Sequence, residues 1–247
     1  MKKEELLQQD AEDKENYLEC EKWWIFALLM FVGGFYGAYT YSIRGGVFCN
    51  AQTANFVLFA MAVGNGKWSN AFYYFIPMTA YLLGAVVSEA VPKPIKKRRL
   101  IRWDTLLILI EMITVIILGI LPERIPFQVS QIAINFICSM QYNTFRQAQG
   151  VPMATTFCTN HLRQTGVAIV KTVQKHGEKT QLNRALNHFK MLLVFVLGGI
   201  LSTILCRLFE GKAIWGALVP LGIVFIDLLY ADLKKEHEYI EKTPHGH

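Results

Sequence analysis

Six stretches of the chain are long, apolar and almost free of charge: Trp23–Ile43, 71–88, 105–122, 125–145, 191–206 and 213–231. A bilayer core about 30 Å thick is crossed by a helix of about 20 mostly apolar residues. Each stretch therefore predicts a spanning helix. Two further segments break the pattern. Residues 45–66 carry no charge and are long enough to cross, yet they hold Asn50, Gln52, Thr53 and Asn55 close together. That polarity is costly against lipid. Residues 147–162 are more polar still and lie between Arg146 and Arg163. The pattern predicts an all-α polytopic membrane helix bundle with six full spans and two polar, partly inserted helical segments. Seven spans is the competing count, because 45–66 is long enough to cross.

Composition points the same way. Apolar residues make up 53% of the chain and charged residues 18%, against about 25% charged in soluble proteins. The net charge of +6 raises nucleic acid as a partner, but the placement of the charge argues against it. The densest cluster, Lys93, Lys96, Lys97, Arg98 and Arg99 with Arg102, sits between two apolar runs. Cytoplasmic loops of membrane proteins carry their Lys and Arg in such places, and no nucleic-acid-binding module surrounds it. With both termini, 93–102 and 146–190 on the cytoplasmic side, only Arg44, Lys67, Arg124, Arg207 and Lys212 fall on the far side.

The first 22 residues hold four Lys and eight Asp or Glu. This is too polar for a signal peptide, so the first apolar run reads as a retained span behind a solvated, partly helical tail. The chain divides into a cytoplasmic tail (1–22), a first membrane unit (23–122), a second (123–231) and a cytoplasmic tail (232–247). The two histidines of Pro244-His245-Gly246-His247 do not complete a metal site and read as disordered tail. The five cysteines, Cys20, Cys49, Cys138, Cys158 and Cys206, show no CxxC or zinc spacing. Four lie in apolar segments and act as small hydrophobes, so no disulfide framework is expected.

The two units echo each other. Thr53 in NAQTAN has a counterpart in Thr159 of TFCTNH. Gly84 in YLLGA matches Gly198 in FVLGG. Glu111 and Asp227 each place one acid inside an apolar run. Each unit reads as span, polar segment, span, span. Three crossings per unit would orient the two in opposite directions, a common transporter plan. The alternative is an old duplication that only makes a stable bundle.

At these motifs the chain resembles a known family. GGFYGAYTYSIRGGVFCNAQTAN (33–55) resembles the first signature of the YoaK-like bacterial membrane proteins. CSMQYNTFRQAQGVPMATTFCTNHL (138–162) resembles their second, and the LLGA at 82–85 fits as well. The resemblance implies an integral protein of the bacterial inner membrane, in a family with no agreed biochemical function. Two departures stand out. Gly37 takes the place of the family's first-span acid. The family's Thr-Gly-Asn is Thr53-Ala54-Asn55 in one unit and Thr159-Asn160-His161 in the other.

Several residues could carry chemistry. A backbone that breaks inside a membrane survives only where it faces protein or water. Asn50, Gln52, Thr53 and Asn55, with Thr155, Thr156, Thr159, Asn160 and His161, can satisfy such a break or line a solute path. Alternatively they hydrogen-bond helices together. Gln141, Asn143 and Arg146 end the fifth run. Arg146 either snorkels to the interface, pairs with an acid, or attracts an anion. Glu111 and Asp227 are expensive if ionised. They are candidates for proton coupling, or else are neutral or paired with Arg44, Arg146 or Arg207. Gly33 and Gly37 give a small-residue face suited to internal helix packing.

No hydrolase elbow, zinc-protease pair or phosphate loop can be read in the chain, so an enzyme is not expected, nor a cofactor. The expected partners are the lipid bilayer and a small solute, with a homo-oligomer compatible and nucleic acid excluded. The leading expectation is a small-solute transporter or permease. The alternative is a non-transporting membrane structural or interaction protein.

Overall fold

The computed structural model describes residues 17–96, 100–174 and 179–245. Most of the amino-terminal tail (1–16), residues 97–99 of the basic cluster, residues 175–178 and the final 246–247 lie outside them. The apolar runs are helical, because a helix satisfies its own backbone groups where no water is present. Helix α1 (Trp23–Ile43) is followed by α2 (Gln52–Gly64), α3 (Trp68–Ala90), a short α4 (Pro92–Lys96), α5 (Trp103–Ile120) and α6 (Phe127–Thr144). A two-residue ribbon, β1 (Gln147–Ala148) with β2 (Val151–Pro152), leads to α7 (Thr159–Gln174). Helix α8 (Lys179–Phe209) passes through a 3₁₀ turn (Glu210–Ala217) into α9 (Leu218–Tyr230).

Four helical stretches are long and apolar enough to cross a membrane: Trp23–Ile43, Trp68–Ala90, Trp103–Ile120 and Lys179–Lys235, the last holding both α8 and α9. The chain is an all-helical, membrane-compatible protein. Helix α6 falls short of that apolarity because it carries Gln131, Asn135, Ser139 and Gln141, all of them buried. Its polar side chains are buried against protein instead of facing lipid.

The helices pair in matched sets. Helix α1 packs most extensively on α8, and α3 on α6; α2 lies on α3, and α7 on α8. Helices α1 and α8 run parallel: Gly198 lies against the Phe31 carbonyl, and further along the Tyr39 hydroxyl donates to the Gly211 carbonyl at 3.0 Å. Helices α3 and α6 are parallel too, with Gln131 at Tyr73, Gly84 at Phe136 and Asn143 at Ser88. Helices α1 and α6 are antiparallel. Gln131 donates to the Arg44 carbonyl at 2.6 Å, and Gln141 to the Leu29 carbonyl at 3.3 Å.

Both described chain ends meet on one face and are packed, which differs from the solvated tails expected from their charge. Leu18, Glu19, Cys20 and Glu21 are buried. The Glu19 carboxylate pairs with Lys22 and Lys235, each at 2.6 Å. Arg102 pairs with Glu236 and Asp232, and His245 is held by Glu21 through its N–H and its ring at 2.9 Å. Charges that alone would stay in water are retained here because they neutralise one another. Burial works against the Glu19 carboxylate, but Lys22 and Lys235 outweigh it and hold its pKa below the ordinary value. On the opposite face Arg44 pairs with Glu123 at 3.0 Å, donates to Tyr39 at 2.9 Å, and closes the end of α1 over Gly211.

Candidate functional site

Two broken segments reach the same depth of α1 from opposite ends of the bundle. After α1 the chain reverses at Gly45 and Gly46, with φ of 82° and 72°, a conformation that glycine adopts without penalty. Residues 44–51 then run back along α1 without helical structure before α2 returns outward. At the tip of this first hairpin Asn50 donates to the Gly33 carbonyl at 2.9 Å. The second hairpin leaves the end of α6, passes through the β-ribbon, and turns at Thr155 and Thr156 before α7. Its tip touches the same residue: a Cβ on Gly33 would lie 2.6 Å from the Thr155 carbonyl oxygen. Gly37 meets the Asn50 side chain in the same way. Gly33 and Gly37 therefore admit the hairpin tips, while the neighbouring Gly34 admits α8 through the Phe195 backbone.

Each hairpin is closed by the same contact. The Asn55 amide donates to the Phe48 carbonyl at 2.6 Å and accepts from the Phe48 N–H at 3.2 Å. His161 lies 2.8 Å from the Ala154 carbonyl through Nε2. Both pairs are seven residues apart and both join the first turn of the returning helix to the non-helical segment before it. A carbonyl only accepts, so His161 carries its proton on Nε2. Its Nδ1, 3.1 Å from the His188 Nδ1, is then the acceptor and His188 the donor.

Polar atoms gather around the meeting point, and several lack partners among the described residues. The Tyr36 hydroxyl, both Glu111 oxygens, Ser139 Oγ, Gln141 Oε1 and the Thr155 hydroxyl are buried without a hydrogen bond. Glu111 is fully buried, about 12 Å of helix from either end of α5. It lies in electrostatic range of Tyr36 and Cys138. Cys49 on the first tip and Cys138 on α6 are both buried, with their sulfurs 3.7 Å apart. Thr156 sits beside Tyr81. An isolated charge in such a place would be costly.

The remaining candidates fall elsewhere. Gln52 donates to Asn135 at 2.7 Å and to the Cys49 carbonyl at 3.2 Å, so it braces the first hairpin. Thr53 and Thr159 are exposed. Asn143, Arg146 and Asn160 line a cavity of about 360 Å³ on the face of the chain ends, together with Tyr142, Met153 and Ala154. Arg146 pairs there with Glu89 at 2.7 Å. Asp227 does not share the setting of Glu111: it lies among Glu19, Lys22 and Lys235 at the face of the chain ends. Sequence reasoning missed Tyr36, Ser139 and the Cys49–Cys138 contact. The seven-residue spacing of Phe48–Asn55 and Ala154–His161 is the signal that would have marked Asn55 and His161 as hairpin clamps.

All five cysteines are free. Among the described residues no group of three or more His, Cys, Asp or Glu side chains could hold a metal ion. The fold and its occluded polar centre define a helical protein compatible with a membrane. Residues 25–226 match the family described as protein of unknown function (DUF1275), and the chain belongs to that family. No curated protein and no solved structure matches the chain.

Proposed function

We propose that this protein is a small-solute transporter or permease of the bacterial inner membrane, built from two inverted repeats, as its YoaK-like motifs and its packing suggest. The spans are α1, α3, α5, α6, α8 and α9, and both termini are cytoplasmic. Several observations support the repeats. The packing partners occur in matched pairs, α1 and α6 run antiparallel, and the clamps Asn55–Phe48 and His161–Ala154 correspond position for position. The cytoplasmic orientation rests on charge, since the basic loops lie on the side of the chain ends.

The observation that carries the transport reading is the meeting of two broken hairpins at Gly33 beside buried polar atoms without partners. Non-helical backbone at membrane depth is tolerated where it lines a path or is buried in protein. A cavity leads from the face of the chain ends to Ala154, next to the second tip. The tips close the path beyond it, and Glu111 waits there as a neutral acid able to exchange a proton with the path. A thermal-shift screen of small polar solutes on the purified protein tests this. A bound solute stabilises the folded state by mass action. A solute that stabilises the parent but not the Thr155→Val or Glu111→Gln proteins supports the reading. Stabilisation that ignores both substitutions counts against it.

A second reading is a non-transporting structural or interaction protein. One observation favours it: Asn50, Gln52 and Asn55 all direct their amides to backbone carbonyls or to Asn135. Under this reading no solute stabilises the protein, and a partner copurifies with it.

A further inference from the structure

We propose that the seam between α7 and α8 binds the phosphate of an anionic phospholipid, held between Arg184 and His188. This proposal stands independently of transport. Residues 147–209 carry Arg163, Lys171, Arg184 and Lys190 among their cations but a single acid, Glu178. Gln181, Arg184 and His188 recur at helical spacing on one side of α8, three and four residues apart. Gln181 Oε1, Arg184 Nε and His188 Nε2 are buried and have no hydrogen-bond partner among the described residues. His188 is fully buried, and Arg184 lies within electrostatic range of it. A guanidinium and an imidazole nitrogen are thus gathered where no carboxylate of the described residues pairs with them.

Depth fits a headgroup. The crossing of α1 and α8 at Gly34 and Gly198 sets His188 level with the first turn of α1. Arg184 and Gln181 lie about 6 and about 10 Å further out along the helix axis. Apolar side chains lie to the side of the seam: Leu182 and Phe189 on α8 and Val173 on α7 are exposed. They suit acyl chains. Basic pockets between membrane helices hold anionic headgroups in this manner.

The histidine pair makes the site respond to its ligand. His188 donates through Nδ1 to His161, so its Nε2 bears a lone pair when the ring is neutral. A phosphate beside Nε2 favours the imidazolium. Its new N–H then donates to a phosphate oxygen while the Nδ1–H remains on His161. Lipid binding at this seam therefore takes up a proton.

Purified full-length protein in neutral detergent, titrated with phosphatidylglycerol, phosphatidylcholine and inorganic phosphate and read by native mass spectrometry and thermal shift, tests the site. Phosphatidylglycerol is expected to bind in preference to phosphatidylcholine, more tightly at pH 6 than at pH 8. Losing one charge-assisted hydrogen bond weakens binding by about tenfold, so Arg184→Gln should do so while Arg184→Lys largely restores it. Lys212→Gln, on the opposite face, serves as a folded control with unchanged binding. Equal binding of the two lipids, or unchanged affinity in folded Arg184→Gln, overturns the proposal. Inorganic phosphate matching the lipid overturns the lipid assignment.

Discussion

Gly198 on α8 lies directly against the backbone carbonyl of Phe31 on α1. Gly84 on α3 lies against the carbonyl of Phe136 on α6 in the same manner. At both crossings a Cβ would penetrate the carbonyl oxygen, so the helices touch backbone to backbone. Overpacking a tight core costs about 1–3 kcal/mol, and rigid backbone on both sides places these sites at the upper end. Gly198→Ala and Gly84→Ala should each lower the melting temperature in detergent by similar amounts. Gly222→Ala, inside a helix with open space around it, should not lower it. A tolerated Gly198→Ala would disprove the close crossing.

The hairpin clamps should be interchangeable in kind. His161→Asn retains an N–H able to reach the Ala154 carbonyl, whereas His161→Leu leaves that carbonyl without a partner. An unsatisfied buried acceptor costs about 1–3 kcal/mol. Thermal melting should therefore rank the parent and His161→Asn well above His161→Leu. The same ranking is expected for Asn55 over Asn55→Leu. Equal stability of the Asn and Leu variants at position 161 would remove the clamp.

Glu111 should cost the fold stability that function requires. Both its oxygens are buried without partners among the described residues. Glu111→Leu keeps the volume and removes the desolvation penalty, so it should raise stability by about 1–3 kcal/mol while abolishing solute-dependent stabilisation. Such a trade is the mark of a functional polar group in a packed interior. A destabilised Glu111→Leu would mean that the carboxyl holds the helices together.

Acid should release the chain ends. Glu19 has a folded pKa below its ordinary 4.5 because Lys22 and Lys235 outweigh burial. Stability from a depressed carboxylate is present above its ordinary pKa and is lost as pH falls through the folded value. The parent should melt above Glu19→Gln at pH 7, and the gap should close as pH falls well below 4.5. A gap that persists in strong acid would show that Glu19 contributes through packing alone.

How much of this could be read in the chain differs by residue. The apolar runs announced the helices, because the bilayer rule depends on length and composition alone. The broken segments were legible as polar islands at Asn50–Asn55 and Thr155–His161. Their closure was not, since it depends on contacts made only once the chain has reversed at Gly45 and, between β1 and β2, at Gly150, where φ is 76°. Gly33 and Gly37 read as a helix-packing face, yet they receive hairpin tips, because a small residue makes room without specifying its occupant. Asp227 resembles Glu111 in its apolar run, but α9 carries it to the ion pairs of the chain ends. The charged tails looked solvated because sequence lists the charges without showing that Glu19 meets Lys235 and Arg102 meets Glu236.

Sided thiol labelling of the two hairpins tests most directly whether they enter from opposite faces. Thr53→Cys and Asn160→Cys, each in a protein whose native cysteines are replaced, are treated with an impermeant maleimide in sealed vesicles of known orientation. The Asn160→Cys protein is expected to react only from the face that holds both chain ends, and the Thr53→Cys protein only from the other. Labelling of both from one face would contradict the opposed hairpins, and the proposed path would go with them.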